Sequence, residues 1–454
     1  VSRSYKVTFW KIKRNTSSKK PSYVVRWTVE GKENSRTLGG KELAENFLSD
    51  LRQAARRGEW FDTETGLPES MLKAQNSRTW LEFARAYMTS RWPHLAAKSR
   101  ENIVESLVVV TMTLTLDRKG RPDTEILRRA VRKHVFLPEE RQPDPDAQIV
   151  AALRWLNAAS LPMNELKEAR HTRAVLEALA VVQDGTKAAT TSFRRRRAAF
   201  HTALEHAVEL GDLDFNPLDR VKWKPAKLSN VVDRRAVVNP RQARELLTAV
   251  TYVGRTRGPM MAAMFACMYF AGLRPAEAQG LQRKGCVLPV EGWGQVTPSK
   301  TRPQSNSDFT DSGGLFDERG LKHRAENEER PVPIPPELVA ILRAHIETFG
   351  AAWDGRLFYT RGGGTFTVSA YTQVWKQARE LAFTPEQVDS PLAGRPYDLR
   401  HAAVSLWLNA GVHAPEVAER AGHSVDVLLK IYAKCIDGQR EIANQRIEKA
   451  LGEE

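Results

Sequence analysis

The stretch ERAGHSVDVLLKIYAK, residues 419–434, is the most specific local signal in the chain. Gly422 stands before a Ser424 able to cap a helix, and His423 and Tyr432 lie nine residues apart. A histidine can donate to an oxyanion and a tyrosine oxygen can attack, so the pair offers two parts of a reactive site. Taken alone, Tyr432 is more often a half-buried helix tyrosine than a nucleophile. The residues upstream decide between these readings.

Two arginine-bearing segments precede it. In MFACMYFAGLRPAEAQGL, residues 264–281, Gly272 ends an apolar run, Arg274 opens the next segment and Pro275 suits a first helical turn. In PYDLRHAAVSLWLNAG, residues 396–411, Arg400 is preceded by Tyr397 and followed by His401. Breaking and rejoining a phosphodiester without metal or nucleotide needs three things. They are a nucleophile that stores the bond, cations around the non-bridging oxygens and an acid for the departing oxygen. Arginine suits the clamp because its charge is permanent and its fork is bidentate.

These three segments, in this order, resemble the signature boxes of the tyrosine recombinase (phage integrase) family. The resemblance is strong from about residue 229 to 454 and weaker upstream. It implies that Tyr432 is the nucleophile, that Arg274 and Arg400 clamp the phosphate, and that His423 donates to it. Glu277, three residues beyond Arg274, would brace the arginine. The family's general acid is a lysine on a β-hairpin between the arginine boxes. Here ERGLKHRAENEERPVPIPPEL, residues 318–338, ends in an alternating strand, which points to Lys322, with Lys300 as its rival. Tyr397 departs from the His or Lys usual at its place. Its role is read as positioning, because a phenol is mostly protonated at neutral pH. His401 is a substitute proton acceptor if the local backbone turns it inward. On a helix, positions 397 and 400 share a face and 401 lies at its edge.

Composition agrees with an extended anionic partner: 69 Lys and Arg stand against 54 Asp and Glu, a formal charge of +15. Cys267, Cys286 and Cys435 lack metal-ligand spacing, which argues against a zinc module and a disulfide framework. No run approaches the roughly 18 apolar residues of a membrane span, and the first residues lack the apolar core of a signal peptide. A soluble, cytoplasmic protein is therefore expected, and the resemblance implies a bacterial, DNA-associated one that needs neither cofactor nor metal.

The expected fold class is mainly α and multidomain (α+β). SYKVTFWKIK and SYVVRWTVEG alternate with period two, and KELAENFLSDLRQAARRG has helical spacing, so residues 1–65 read as a three-stranded sheet carrying one helix. Ten Lys or Arg against Glu30 and Glu33 within residues 1–36, with Trp10 and Trp27 among them, suit a phosphate-tracking sheet face. Residues 77–227 read as a helical domain, closing at FNPLDRVKWKPAK, and residues 228–454 as the mixed, mostly helical catalytic domain with a β-hairpin. Four consecutive arginines, Arg194 to Arg197, spread around one helix, so at least two meet solvent or phosphate. Met260, Met261, Met264 and Met268 fill one buried helix, and Ile442, Ile447 and Leu451 mark a short amphipathic tail.

By resemblance, the three parts are arm-type DNA-binding, core-binding and catalytic domains of a site-specific integrase of a phage or mobile element. It would pass through a 3′-phosphotyrosine intermediate as a homotetramer on two synapsed duplexes, with accessory bending and directionality proteins. Relaxation of supercoils by related type IB topoisomerase chemistry, and a catalytically silent DNA-binding descendant, are the alternatives.

Overall fold

In the computed structural model the described residues are 2–15, 21–75, 77–223, 231–321, 329–432, 435, 444, 445, 447, 448, 451 and 452; the side chains of 73–75 are set aside. The chain forms two compact units, residues 1–93 with 103–225 and residues 94–102 with 226–454. The architecture is mainly α with small sheets. No helix among the described residues is long and apolar enough to cross a membrane.

In the first unit, β1 (Arg3–Ser4) is a short strand outside the main sheet. The expected first strand of that sheet is broken into β2 (Val7–Phe9) and β3 (Lys13–Asn15). Both pair antiparallel with β4 (Ser22–Val29), and β5 (Lys32–Leu38) pairs antiparallel with β4 from Tyr23 to Val29. Because β5 occupies one edge of β4, β2 and β3 share the other, and the sheet is three strands wide with an interrupted margin. Glu30 and Gly31, at φ 50° and 84°, form a two-residue reversal whose positive angles match the strand twist. Period-two alternation turns Val25, Trp27 and Val29 inward onto Ala44, Leu48 and Leu51 of α1 (Lys41–Arg56). Each large side chain buried there contributes about 1.5–3 kcal/mol. Arg26 points to the opposite, exposed face, its guanidinium 5.3 Å from the Trp10 ring. β6 (Phe61–Asp62) pairs with β1.

Beyond α2 (Glu69–Gln75) the first unit is helical: α3 (Trp80–Arg91), α4 (Ala97–Thr113, its first turns belonging to the second unit), α5 (Thr124–Ala130), α6 (Ala147–Ala159), α7 (Ala169–Leu179) and α8 (Thr190–Glu209). Thr79 and Glu82 close a reciprocal capping box at the start of α3. Trp80 then packs on Phe83 and Phe200, and its indole N–H donates to Thr111 at 2.9 Å. Of the four arginines on α8, Arg194 and Arg195 are exposed, while Arg196 donates to the Val181 and Leu179 carbonyls at the end of α7.

The second unit is built around α10 (Pro259–Phe270), an apolar helix buried nearly all round, its four methionines included. It packs against α9 (Pro240–Thr251), α12 (Pro336–Phe349) and α15 (Asp398–Asn409). α11 (Pro275–Gly280) follows it, then the antiparallel sheet of β7 (Cys286–Val287), β8 (Gly294–Val296) and β9 (Val332–Ile334). α13 (Val368–Ala382) and α14 (Pro385–Asp389) lead to α15. There α16 (Ala414–Ala421) and α17 (Val425–Tyr432) bury a second apolar cluster with Val404, Leu408, Val417 and Leu428. Of the tail, Ile442 lies outside the described residues, and Ile447 and Leu451 are exposed.

Candidate active site

Two tight glycine turns in the second unit bring the three motif segments together. Gly272 leaves α10 at φ 60°, and a β-carbon there would stand 2.8 Å from the Trp407 ring. Gly422 ends α16 in the left-handed region at φ 62°, where a β-carbon would meet Arg330 Nη1 at 2.4 Å. Arg400, in the first turn of α15, donates to the carbonyl oxygens of both Gly272 and Ala421, the residue before Gly422. One guanidinium thus ties the Arg274-bearing turn to the His423-bearing turn.

Arg274 sits at the mouth of α11. Its backbone N–H donates to Glu277 Oε2 at 2.8 Å, its Nη1 to Glu277 Oε1 at 2.6 Å and its Nη2 to the Gly422 carbonyl at 2.9 Å. Glu277 also accepts from Arg330 Nη2 at 2.7 Å and lies 3.9 Å from Arg400. Three guanidiniums therefore surround one carboxylate. Burial alone would raise the Glu277 pKa, but Arg330, Arg274 and Arg400 outweigh it and hold the group down at about 2. Arg330 is itself lowered to about 10 by burial and its two arginine neighbours, and so stays charged at neutral pH. Arg330 Nε and Nη1 and Arg400 Nε have no partner among the described residues. The cluster is short of negative charge and of acceptors at once.

His423 Nε2 is 2.9 Å from Arg400 Nη2. An arginine can only donate, so Nε2 accepts, and the neutral ring carries its hydrogen on Nδ1. That Nδ1 is buried without a partner among the described residues. Burial, followed by Arg400, Arg274 and Arg330, lowers the His423 pKa to about 3. His423 is thus a neutral donor held in a positive field.

Tyr432, at the end of α17, is fully buried. Burial raises its phenol pKa, against the pull of Arg400. Its hydroxyl is 2.9 Å from His401 Nδ1. Tyr397 is the residue before α15; its torsions are helical, φ −61° and ψ −24°, and its carbonyl accepts from the Arg400 N–H at 3.1 Å. Its ring packs edge-on against His401 at 5.1 Å, and it lies close enough to Arg274 to favour that arginine's charge.

Of the residues singled out in the sequence, Arg274, Arg400, His423, Tyr397 and Tyr432 meet in this one place. Lys322 lies outside the described residues. Lys300 is exposed and pairs with Glu318 at 2.5 Å. Arg330, just before β9, was missed: its segment reads as a plain alternating strand, and the one hint was an arginine abutting it. Among the described residues, the grouping compact enough for a metal ion is His201, Glu205 and Asp219 of the first unit, outside this cluster.

No family model matches the chain, and no curated protein matches it in sequence. Among solved structures, the Tn1549 transposon integrase in complex with a circular intermediate DNA is similar at 15% identity and a TM-score of 0.48, over 72% of this chain and 98% of that one. The XerH site-specific recombinase bound to difH, a post-cleavage complex, matches at 12% identity and a TM-score of 0.43, over 78% of this chain and 96% of that one. A lambda integrase tetramer bound to a Holliday junction is similar at 12% identity and a TM-score of 0.42, over 90% of this chain and 92% of that one.

Proposed function

We propose that this chain is a tyrosine site-specific DNA recombinase that cuts and rejoins duplex DNA through a 3′-phosphotyrosine on Tyr432. The observation that carries the reading is the buried cluster in which Arg274, Arg330 and Arg400 share the single carboxylate of Glu277, beside the unpartnered Nδ1 of His423. Such a cluster is complementary to a phosphoryl group whose negative charge grows in the transition state. Arg274, Arg400 and His423 would hold the non-bridging oxygens, with Tyr397 positioning Arg274 and Lys322 protonating the departing 5′ oxygen. The phosphotyrosine conserves the energy of the broken bond, so a 5′ hydroxyl from a partner strand can reverse the attack.

Arg400 and Tyr432 are both fully buried. The exposed Arg26 and Lys13 on the helix-free face of the N-terminal sheet suit phosphates of a second DNA segment. In this reading residues 1–65, 77–227 and 228–454 are arm-type, core-binding and catalytic domains. Four protomers join two duplexes, with accessory bending and directionality proteins, in a bacterial cytoplasm, to integrate or excise a mobile element.

The test is covalent trapping. A pool of nicked duplexes is incubated with the protein, denatured, and resolved for a protein–DNA adduct, alongside Tyr432→Phe. The expected result is an adduct from the parent chain that the variant lacks. An adduct surviving in Tyr432→Phe moves the nucleophile elsewhere. Specific DNA binding without any adduct makes the chain a silent binder.

A further inference from the structure

We propose that His401 is the proton acceptor for the Tyr432 nucleophile, taking the role that Tyr397 at the preceding motif position is unsuited to fill. The inference rests on the recombinase reading above. Two contacts carry it: His401 Nδ1 lies 2.9 Å from the Tyr432 hydroxyl, and the His401 ring sits between Tyr397 and Tyr432, 5.1 and 5.6 Å from their rings. A phenol bonded to a half-buried imidazole is a nucleophile already aligned with its base. No other nitrogen base is hydrogen-bonded to this hydroxyl among the described residues. His423, the second histidine of the cluster, has its Nε2 turned to Arg400 instead.

The surroundings keep the acceptor empty. Burial lowers the His401 pKa to about 4, with Arg395 and Arg400 adding to the effect and Asp398 opposing it. Besides those three, Tyr397 and Tyr432 are the titratable groups in ring contact with it. At neutral pH the imidazole is therefore uncharged, and with Nδ1 accepting from the phenol its hydrogen is on Nε2. When the Tyr432 oxygen bonds to phosphorus, its proton passes to His401 Nδ1. The P–O5′ bond breaks, and the 5′ oxygen leaves as a hydroxyl with the proton that Lys322 supplies in the proposed scheme. The pentavalent phosphorane carries one more negative charge than the phosphodiester, beside the new imidazolium, which favours the transfer in the transition state. Rejoining returns the proton to Tyr432 by the same path.

The substitution that separates a base from a mere hydrogen-bond partner is His401→Asn, whose amide oxygen can accept from the phenol but cannot keep its proton. On a nicked duplex that the parent chain cleaves, His401→Asn should form adduct at least about 100-fold more slowly with unchanged DNA affinity. Added imidazole should recover cleavage in His401→Ala. Adduct formation by His401→Asn within threefold of the parent rate would overturn the proposal.

If the variants fail to fold, or the parent chain forms no adduct, nitrogen NMR of the histidine-labelled intact protein still decides the point. Expected is a His401 with bare Nδ1 and protonated Nε2 at neutral pH, titrating near 4. A His401 that is charged at neutral pH, or that carries its hydrogen on Nδ1, would refute the assignment. Absence of an adduct from the parent chain, with the expected NMR signature, would instead count against the recombinase reading.

Discussion

In the second unit Arg400, Arg330 and Arg274 are 0%, 1% and 19% exposed and share one carboxylate, whereas Arg26 and Lys13 of the N-terminal sheet stand in solvent, Arg26 beside Trp10. Both sets are suited to phosphate, but by different physics. The buried set gave up its hydration during folding, so its hydrogen-bond directions are fixed before DNA arrives and its field is weakly screened. The exposed set keeps its water and counterions, and gains by releasing them along a DNA backbone. The first arrangement suits chemistry on one phosphate, and the second suits holding many.

Several substitutions can break or sharpen that contrast. The largest expected effect is from Tyr432→Phe, which should bring covalent adduct below detection while leaving DNA affinity in place, as read by denaturing gels beside mobility shifts. Arg400→Ala should slow adduct formation roughly 100- to 1000-fold, because a preorganised donor to the phosphoryl group is lost. It should also loosen the Gly272 and Ala421 turns that this side chain ties together, which limited proteolysis would report.

Glu277→Ala should act mainly on stability. It leaves two buried guanidiniums and a half-buried one without a counterion, at a cost of about 3–5 kcal/mol and a fall in Tm on the order of 10 °C by calorimetry. The same carboxylate predicts an acid response. Its folded pKa, about 2, lies below the ordinary carboxylate value, so its contribution is complete above that ordinary value and disappears as pH falls toward 2. The pH-dependent part amounts to about 3 kcal/mol and should be missing from the acid titration of Glu277→Gln. A parent chain whose stability does not change over that window would show the carboxylate to be unpaired.

The smallest effect belongs to the sheet. Arg26→Ala should weaken DNA binding a few-fold and lower the salt dependence by about one counterion, without changing the cleavage rate at saturating DNA. A cleavage defect at saturation would erase the proposed division of labour.

The sequence by itself determined much of this. Period-two alternation in residues 22–29 specified a half-buried strand, and the unbroken apolar run before Gly272 specified the central helix, because burial follows periodicity. Arginines next to helix boundaries, and a histidine nine residues before a tyrosine, pointed to a candidate site through their resemblance to the tyrosine recombinase boxes, and the fold brings these side chains together. The break between β2 and β3 was not legible in the period-two pattern, which runs on without a turn residue between them.

Only the tertiary structure decided what those residues touch. Arg330 looks like an ordinary strand-flanking arginine until β9 pairs with β8 and the residue meets Glu277. His401 could face either side of α15 on sequence grounds. Its direction is set by α17 returning to place the Tyr432 hydroxyl against its Nδ1, a long-range contact that no local pattern encodes. Local periodicity fixes which residues are buried, whereas partners thirty residues or more apart are fixed by how the helices close on one another.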